Sequence, residues 1–140
     1  MPHAPFSQPW ADALREILNA DATYREASRK WRWPLALVME AAPDLGFPEA
    51  VAVELELENG DCRRAEAKPA ATVASDYVLQ GDYATWKSIV RDDVDAVSAV
   101  MTGKLTLAKG SLFSLMTHVP SARALVACAR RVDTHFPDEG

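Results

Sequence analysis

Most of the patterns from which a function is usually read are missing from this sequence. It holds only two cysteines, Cys62 and Cys128, in no CxxC spacing and with no histidine beside them. That excludes a recognisable zinc site or redox pair, and a chain of 140 residues can build a core without a disulfide. Both thiols are expected to be reduced, in a cytoplasmic setting. No apolar run approaches the roughly 20 residues that cross a bilayer. The stretch Met1 to Trp10 carries Pro2, Pro5 and Pro9 in place of a signal peptide's apolar core. The last residues, Asp138-Glu139-Gly140, are not a peroxisomal address.

Positive charge is scarce too. Fifteen basic residues stand against twenty acidic ones, a net charge of −5. Nucleic acid demands clustered positive charge to displace counterions from phosphates, so it is not an expected partner. Permanent residence on anionic membranes is also disfavoured, which leaves only transient membrane contact open. His3, His118 and His135 are far apart in sequence, and none sits in an HExxH or triad-like setting. No serine occupies a GxSxG elbow, and no glycine-rich loop has phosphate-binding spacing. The histidines are read as surface or locally bonded, and the group Asp92, Asp93 and Asp95 as helix capping. No catalytic residue, metal ligand or cofactor is expected, although catalytic residues can be scattered without a motif.

What the sequence does have is a normal globular balance. Hydrophobic residues at 49% and charged residues at 25% exclude wholesale disorder, and no linker divides residues 1–140 into more than one expected domain. Ser7 and Pro9 make a helix start, followed by Trp10, Leu14, Ile17 and Leu18 on one face. Tyr24, Ala27 and Trp31 continue a second helical pattern after Asp21. From Leu35 the period changes to two. Val51, Val53, Leu55 and Leu57 alternate with Glu54, Glu56 and Glu58, which predicts a sheet with one buried and one wet face. Asn59-Gly60 predicts a two-residue hairpin, with a return strand over about Asp61 to Ala67. That register sets Arg63 opposite Glu56, and also Asp61 opposite Glu58, a like-charge pair that a bulge could relieve.

A fourth strand is expected from about Val73 to Gln80, then a helix capped by Asp82 that carries Tyr83 and Trp86. Asp92 or Asp93 is expected to cap another helix, carrying Val94, Val97 and Met101 and ended by Gly103. A short strand over Lys104 to Ala108 precedes a stripe of Leu112, Leu115, Met116 and Val119. The last helix is expected from Ser121, with Leu125, Val126 and Ala129 on one face. The order of elements describes an α+β fold, one mostly antiparallel sheet covered on one face by helices. Core packing accounts for the C-terminal stripes on periodicity alone. Leu, Met and Phe close together also make an adaptable lining for an apolar ligand.

The stretch from Ser75 to Trp86, SDYVLQGDYATW, resembles the strand-to-helix signature of the sterol carrier protein two family. Met101 to Leu107 and Lys109 to Leu112 resemble that family's glycine-punctuated strand and following helix. Leu55 to Gly60 takes the place of its strand and hairpin, without the tryptophan often found before that turn. Order and spacing agree from about Leu18 to the C-terminus. The resemblance implies a five-stranded sheet and an apolar tunnel between sheet and helices that takes a sterol, a fatty acid or an acyl thioester. By position it implies a lining of Trp86, Ile89, Met101, Leu105, Leu112, Leu115, Met116, Leu125 and Val126. The function implied is lipid binding and transfer without covalent chemistry. The alternatives are an accessory domain whose apolar groove binds a partner protein, and an enzyme acting on a bound acyl group. Sequence leaves the oligomeric state undetermined.

Overall fold

Ser7 starts the first helix as expected. In the computed structural model its hydroxyl accepts from the Trp10 N–H at 3.3 Å, and Pro9 sits in the first turn of α1 (Gln8–Ala20). The structure describes residues 2–139; Met1 and Gly140, the ends of the stretches read above for targeting signals, lie outside the described residues. Trp10, Leu14 and Leu18 are buried, and the polar side of α1 works as well. Gln8, Arg15 and Asn19 hydrogen-bond the backbone of Cys62, Ala65 and Ala67, which closes an edge of the sheet. Asp21 then caps α2 (Ala22–Ala27), its carboxylate accepting from the Tyr24 N–H at 2.8 Å. Trp31 lies beyond the end of α2, so the second helical pattern is shorter than expected.

Five strands follow the helical arm: β1 (Leu35–Met39), β2 (Val51–Glu58), β3 (Asp61–Pro69), β4 (Tyr77–Gly81) and β5 (Thr106–Lys109). Their order in the sheet is β3-β2-β1-β4-β5, antiparallel except for the β1–β4 pair. The alternating residues of β2 behave as read: Val53, Leu55 and Leu57 join the core, and the glutamates face out. Asn59 and Gly60 have φ of 53° and 93°, as a type I′ turn requires.

Three expectations are corrected in this stretch. Glu56 pairs with Arg64, not Arg63, because a bulge interrupts the register between Glu56 and Leu57. The extra residue lets both Cys62 and Ala65 face the core, which strict alternation would forbid. Glu58 and Asp61 do stand opposite one another, and ion pairs Arg63–Glu58 at 3.2 Å and Arg25–Asp61 at 2.8 Å offset the repulsion. The fourth strand starts at Tyr77 rather than Val73, since residues 73–76 are tethered elsewhere. The Glu54 carboxylate accepts from the Ala74 N–H and the Ser75 hydroxyl, each at 2.8 Å. Helix α4 (Ala96–Met101) is capped by Asp95, not by Asp92 or Asp93; its carboxylate accepts from the Ser98 N–H at 3.0 Å. Asp92 instead sits at φ 65° after α3 (Tyr83–Val90) and pairs with Arg130 at 3.2 Å.

Helix α5 (Leu112–Thr117) leads directly into α6 (Val119–Arg130), which begins two residues before Ser121 because Pro120 is tolerated in a first turn. Strand β5 likewise starts two residues later than expected, with Leu105 buried just ahead of it. The helices lie on one face of the sheet, and Leu35, Leu37 and Met39 of the central strand meet them there. No helix among the described residues is long and apolar enough to cross a membrane.

Candidate functional site

Between the sheet and the helices lies a cavity of about 60 Å³. Its floor is Leu35 and Leu37 of β1, Leu57 of β2 and Leu79 of β4. Its walls are Trp86 and Ile89 from α3, Val97 and Val100 from α4, Leu115 and Met116 from α5, and Leu125, Val126 and Ala129 from α6. Phe6, Trp10 and Trp31 close it from the N-terminal arm. Each element contributes through ordinary amphipathicity: the face that must leave water points at the same space.

The three tryptophans show how the lining is kept apolar. Trp86 Nε1–H donates to the Val38 carbonyl at 2.8 Å, Trp10 Nε1–H to the Thr134 hydroxyl at 2.9 Å, and Trp31 Nε1–H to the Trp33 carbonyl at 2.8 Å. With every indole N–H engaged, the rings offer the cavity only carbon. The polar side chains on the wall are His118 and Ser121. Ser121 is paired with the Ser28 hydroxyl at 2.6 Å, and His118 Nδ1 lies 2.8 Å from the Ser114 carbonyl. That carbonyl can only accept, so Nδ1 carries a proton. Among the described residues no Asp, Glu, Lys or Arg side chain lines the cavity. An ion inside would meet no Asp, Glu, Lys or Arg partner, so the apolar part of a molecule is what can be held there at low cost.

Of the nine residues implied as lining, Trp86, Ile89, Leu105, Leu115, Met116, Leu125 and Val126 border this cavity. Met101 and Leu112 do not; they are 63% and 47% exposed. Sequence reasoning passed over Phe6, Trp10 and Trp31. For Trp10 and Trp31 the apolar spacing implied burial but not which space they face, and Phe6 lies in no periodic pattern. It passed over His118 too, because a lone histidine between two apolar stripes carries no pattern.

The remaining polar groups perform local tasks. His3 and His135, far apart in sequence, are brought together by backbone bonds: His135 N–H donates to the His3 carbonyl at 2.9 Å. His3 is therefore pinned to the segment around His135. Burial pushes the thiols up, Cys62 to about 11 and Cys128 to about 12, so neither is poised as a nucleophile. Among the described residues no group of three His, Cys, Asp or Glu side chains is placed to hold a metal ion.

No protein-family model and no curated protein sequence matches this chain. Solved structures do. A crystal structure of sterol carrier protein 2 is 38% identical with a TM-score of 0.88, covering 91% of this chain and 98% of that one. The solution structure of a conserved hypothetical protein from Thermus thermophilus is 35% identical with a TM-score of 0.88, covering 96% and 94%. A palmitated sterol carrier protein 2-like protein from Aedes aegypti shares the fold at 13% identity, TM-score 0.52, covering 89% and 93%.

Proposed function

The chain belongs to the sterol carrier protein 2 family, and on that premise we propose that it binds and transfers an apolar, lipid-like molecule held between sheet and helices. The observation that carries this reading is the uncharged cavity whose tryptophan N–H groups are all turned to protein partners. A lipid chain leaving water for such a lining gains about 25 cal/mol per Å² of apolar area. The ligand is a sterol, a fatty acid or an acyl thioester, and any charged head it carries stays at the mouth. The fatty acid named in the Aedes aegypti structure is one candidate for the tail.

The cavity is smaller than the roughly 300–1,000 Å³ typical of small-molecule pockets, so its walls must part to admit a whole lipid. The short helices α4 and α5, six residues each, are the walls with the least packing to give up. A space walled by the sheet on one side and by helices on the other suits a flexible small molecule better than a partner protein's helix, which needs a long open groove. No covalent chemistry is assigned: the lining offers neither a nucleophile nor an acid–base pair, only an imidazole and a hydroxyl already bonded locally. The test is native mass spectrometry of freshly purified protein followed by denaturing extraction. A copurified apolar molecule of one class is expected. A bare protein that also fails to bind a fluorescent fatty acid after delipidation would overturn the reading.

A further inference from the structure

Among the described residues three besides glycine have a positive φ: Asn59 at 53°, Asp92 at 65° and Phe6 at 61°. Asn and Asp tolerate that region because a short polar side chain can bond locally, whereas a bulky aromatic there is an outlier. Glycine would hold position 6 without strain, so what this residue contributes is its ring. Strain of this kind persists only where the surroundings fix it, and ligand clamps are among the places where it gathers. The Phe6 side chain is buried and borders the cavity, stacks on Trp10 at 5.2 Å between ring centroids and leans on Trp86 at 5.6 Å. The short arm that carries it is tied on both sides of the ring. The Ser7 N–H and hydroxyl donate to the Ala4 carbonyl, and the His3 N–H to the Asp133 carbonyl.

The cavity has two unlike ends, set apart along β1. At one end His118 packs edge-on against Trp31 and Trp33, just ahead of Leu35, and the Ser28–Ser121 pair lies beside Trp31, whose N–H donates to the Ser28 carbonyl at 3.0 Å. At the other end Trp86 reaches the Val38 carbonyl, with Phe6 and Trp10 gathered against it. Both polar side chains of the wall belong to the first end, so a head group finds hydrogen bonds there and the tail points to the second. The ends also differ in how far they can give. The six-residue helices α4 and α5 can part, whereas the indoles of Trp10 and Trp86 are pinned by Thr134 and Val38. We propose that Phe6 is the stop against which the ligand's tail ends, and that it sets the longest chain the cavity accepts. This rests on the lipid-carrier reading and adds to it an orientation and a limit of length. Phe6 is also the ring at this end that carries no hydrogen bond, so it can be exchanged without leaving a buried group unpaired.

The experiment uses the delipidated full chain and saturated fatty acids of increasing length, each displacing a fluorescent fatty acid. In the parent, Kd is expected to fall about four-fold with each added methylene, the effect of burying one CH2, up to a limiting length beyond which it stops falling. Phe6→Gly and Phe6→Ala both vacate the space of the ring. Both should move the limit to chains longer by about two methylenes or more, again at about four-fold per methylene. Acids shorter than the limit do not reach Phe6, so their Kd should stay within about two-fold of the parent's. Phe6→Leu keeps an apolar side chain to hold the arm in place and should move the limit by a smaller step. An unchanged limit in all three variants overturns the stop, and so does a loss of affinity equal at every length in all three, which is what a residue of plain core would give. A shift in Phe6→Gly alone also overturns it, because relief of backbone strain rather than space would then be the cause. A parent that binds no fatty acid of any length overturns the carrier reading, and the stop with it.

Discussion

Ala129 is a small residue on α6 that borders the cavity, and enlarging it separates ligand space from ordinary packing. Ala129→Leu adds three carbons to the wall. If the space receives a lipid tail, the ligand loses room for about three methylenes at about 0.8 kcal/mol each. The sum, about 2.4 kcal/mol, is about a 50-fold weaker Kd. In the protein stripped of lipid, the cavity accepts the new carbons, so Tm is expected to hold or rise. In a close-packed core the same change would cost about 1–3 kcal/mol, which at roughly 4 °C per kcal/mol lowers Tm by about 4–12 °C. The assay is a fluorescent fatty-acid titration beside a melting curve, both on delipidated protein. Leu112→Trp is the companion variant: Leu112 is exposed and outside the cavity, so affinity should stay within about two-fold. A large fall in Tm for Ala129→Leu with unchanged affinity would refute the assignment of this space to a ligand.

Three further outcomes test the frame around the cavity. Gly60 and Gly46 share a φ near +90°, but a Cβ at Gly60 would meet the Arg25 carbonyl at 2.7 Å while one at Gly46 meets nothing within 4 Å. Gly46→Ala should therefore cost about 1–2 kcal/mol in urea unfolding, and Gly60→Ala clearly more. Burial works against ionisation of Glu54, but Lys68, the Ala74 N–H and the Ser75 hydroxyl outweigh it and hold the carboxyl down to about 2. That stability is full above the ordinary value of 4.5 and is lost as pH falls towards 2; it amounts to about 3 kcal/mol, and Glu54→Gln should flatten the acid limb of unfolding midpoint against pH. Cys62 and Cys128, both buried with raised pKa, should resist iodoacetamide at pH 8 in the folded protein and react on denaturation; fast labelling of either would show that the packing around it is wrong.

The elements most legible in the sequence were those whose pattern is self-contained. Ser7 with Pro9, the alternation of β2 and the Asn59-Gly60 turn each state a local geometry that tertiary packing then used unchanged. Errors arose where a distant partner decides. Periodicity reads Arg63 and Arg64 as one facing out and one facing in; only the need to bury both Cys62 and Ala65 reveals the bulge. Val73 to Asp76 reads as strand until Glu54, some twenty residues earlier, binds the backbone of Ala74. The cap fell on Asp95 because Asp92 is taken by Arg130 from the last helix. The cavity followed the same rule. An i, i+4 pair such as Leu112 and Met116 shares a helix face, but Met116 borders the cavity and Leu112 does not, because the wall turns away within one six-residue helix.

The backbone bonds that join residues 3 and 133–135 also constrain how the fold comes into being. His3 N–H reaches the Asp133 carbonyl at 2.7 Å, and the Trp10 indole is fixed by Thr134, 124 positions away. A nascent chain can form the β2–β3 hairpin early, but these anchors of the N-terminal arm cannot form until more than 130 residues have left the ribosome. Until then Phe6 and Trp10 lack their final seating, and the space beneath them stays open to solvent or to a chaperone. The same proximity means that the chain could be reopened elsewhere. A short polar linker joining the segments that carry His3 and His135 would make these contacts local, whereas a new break at the Asn59-Gly60 turn would turn the β2–β3 pairing into a contact between chain ends.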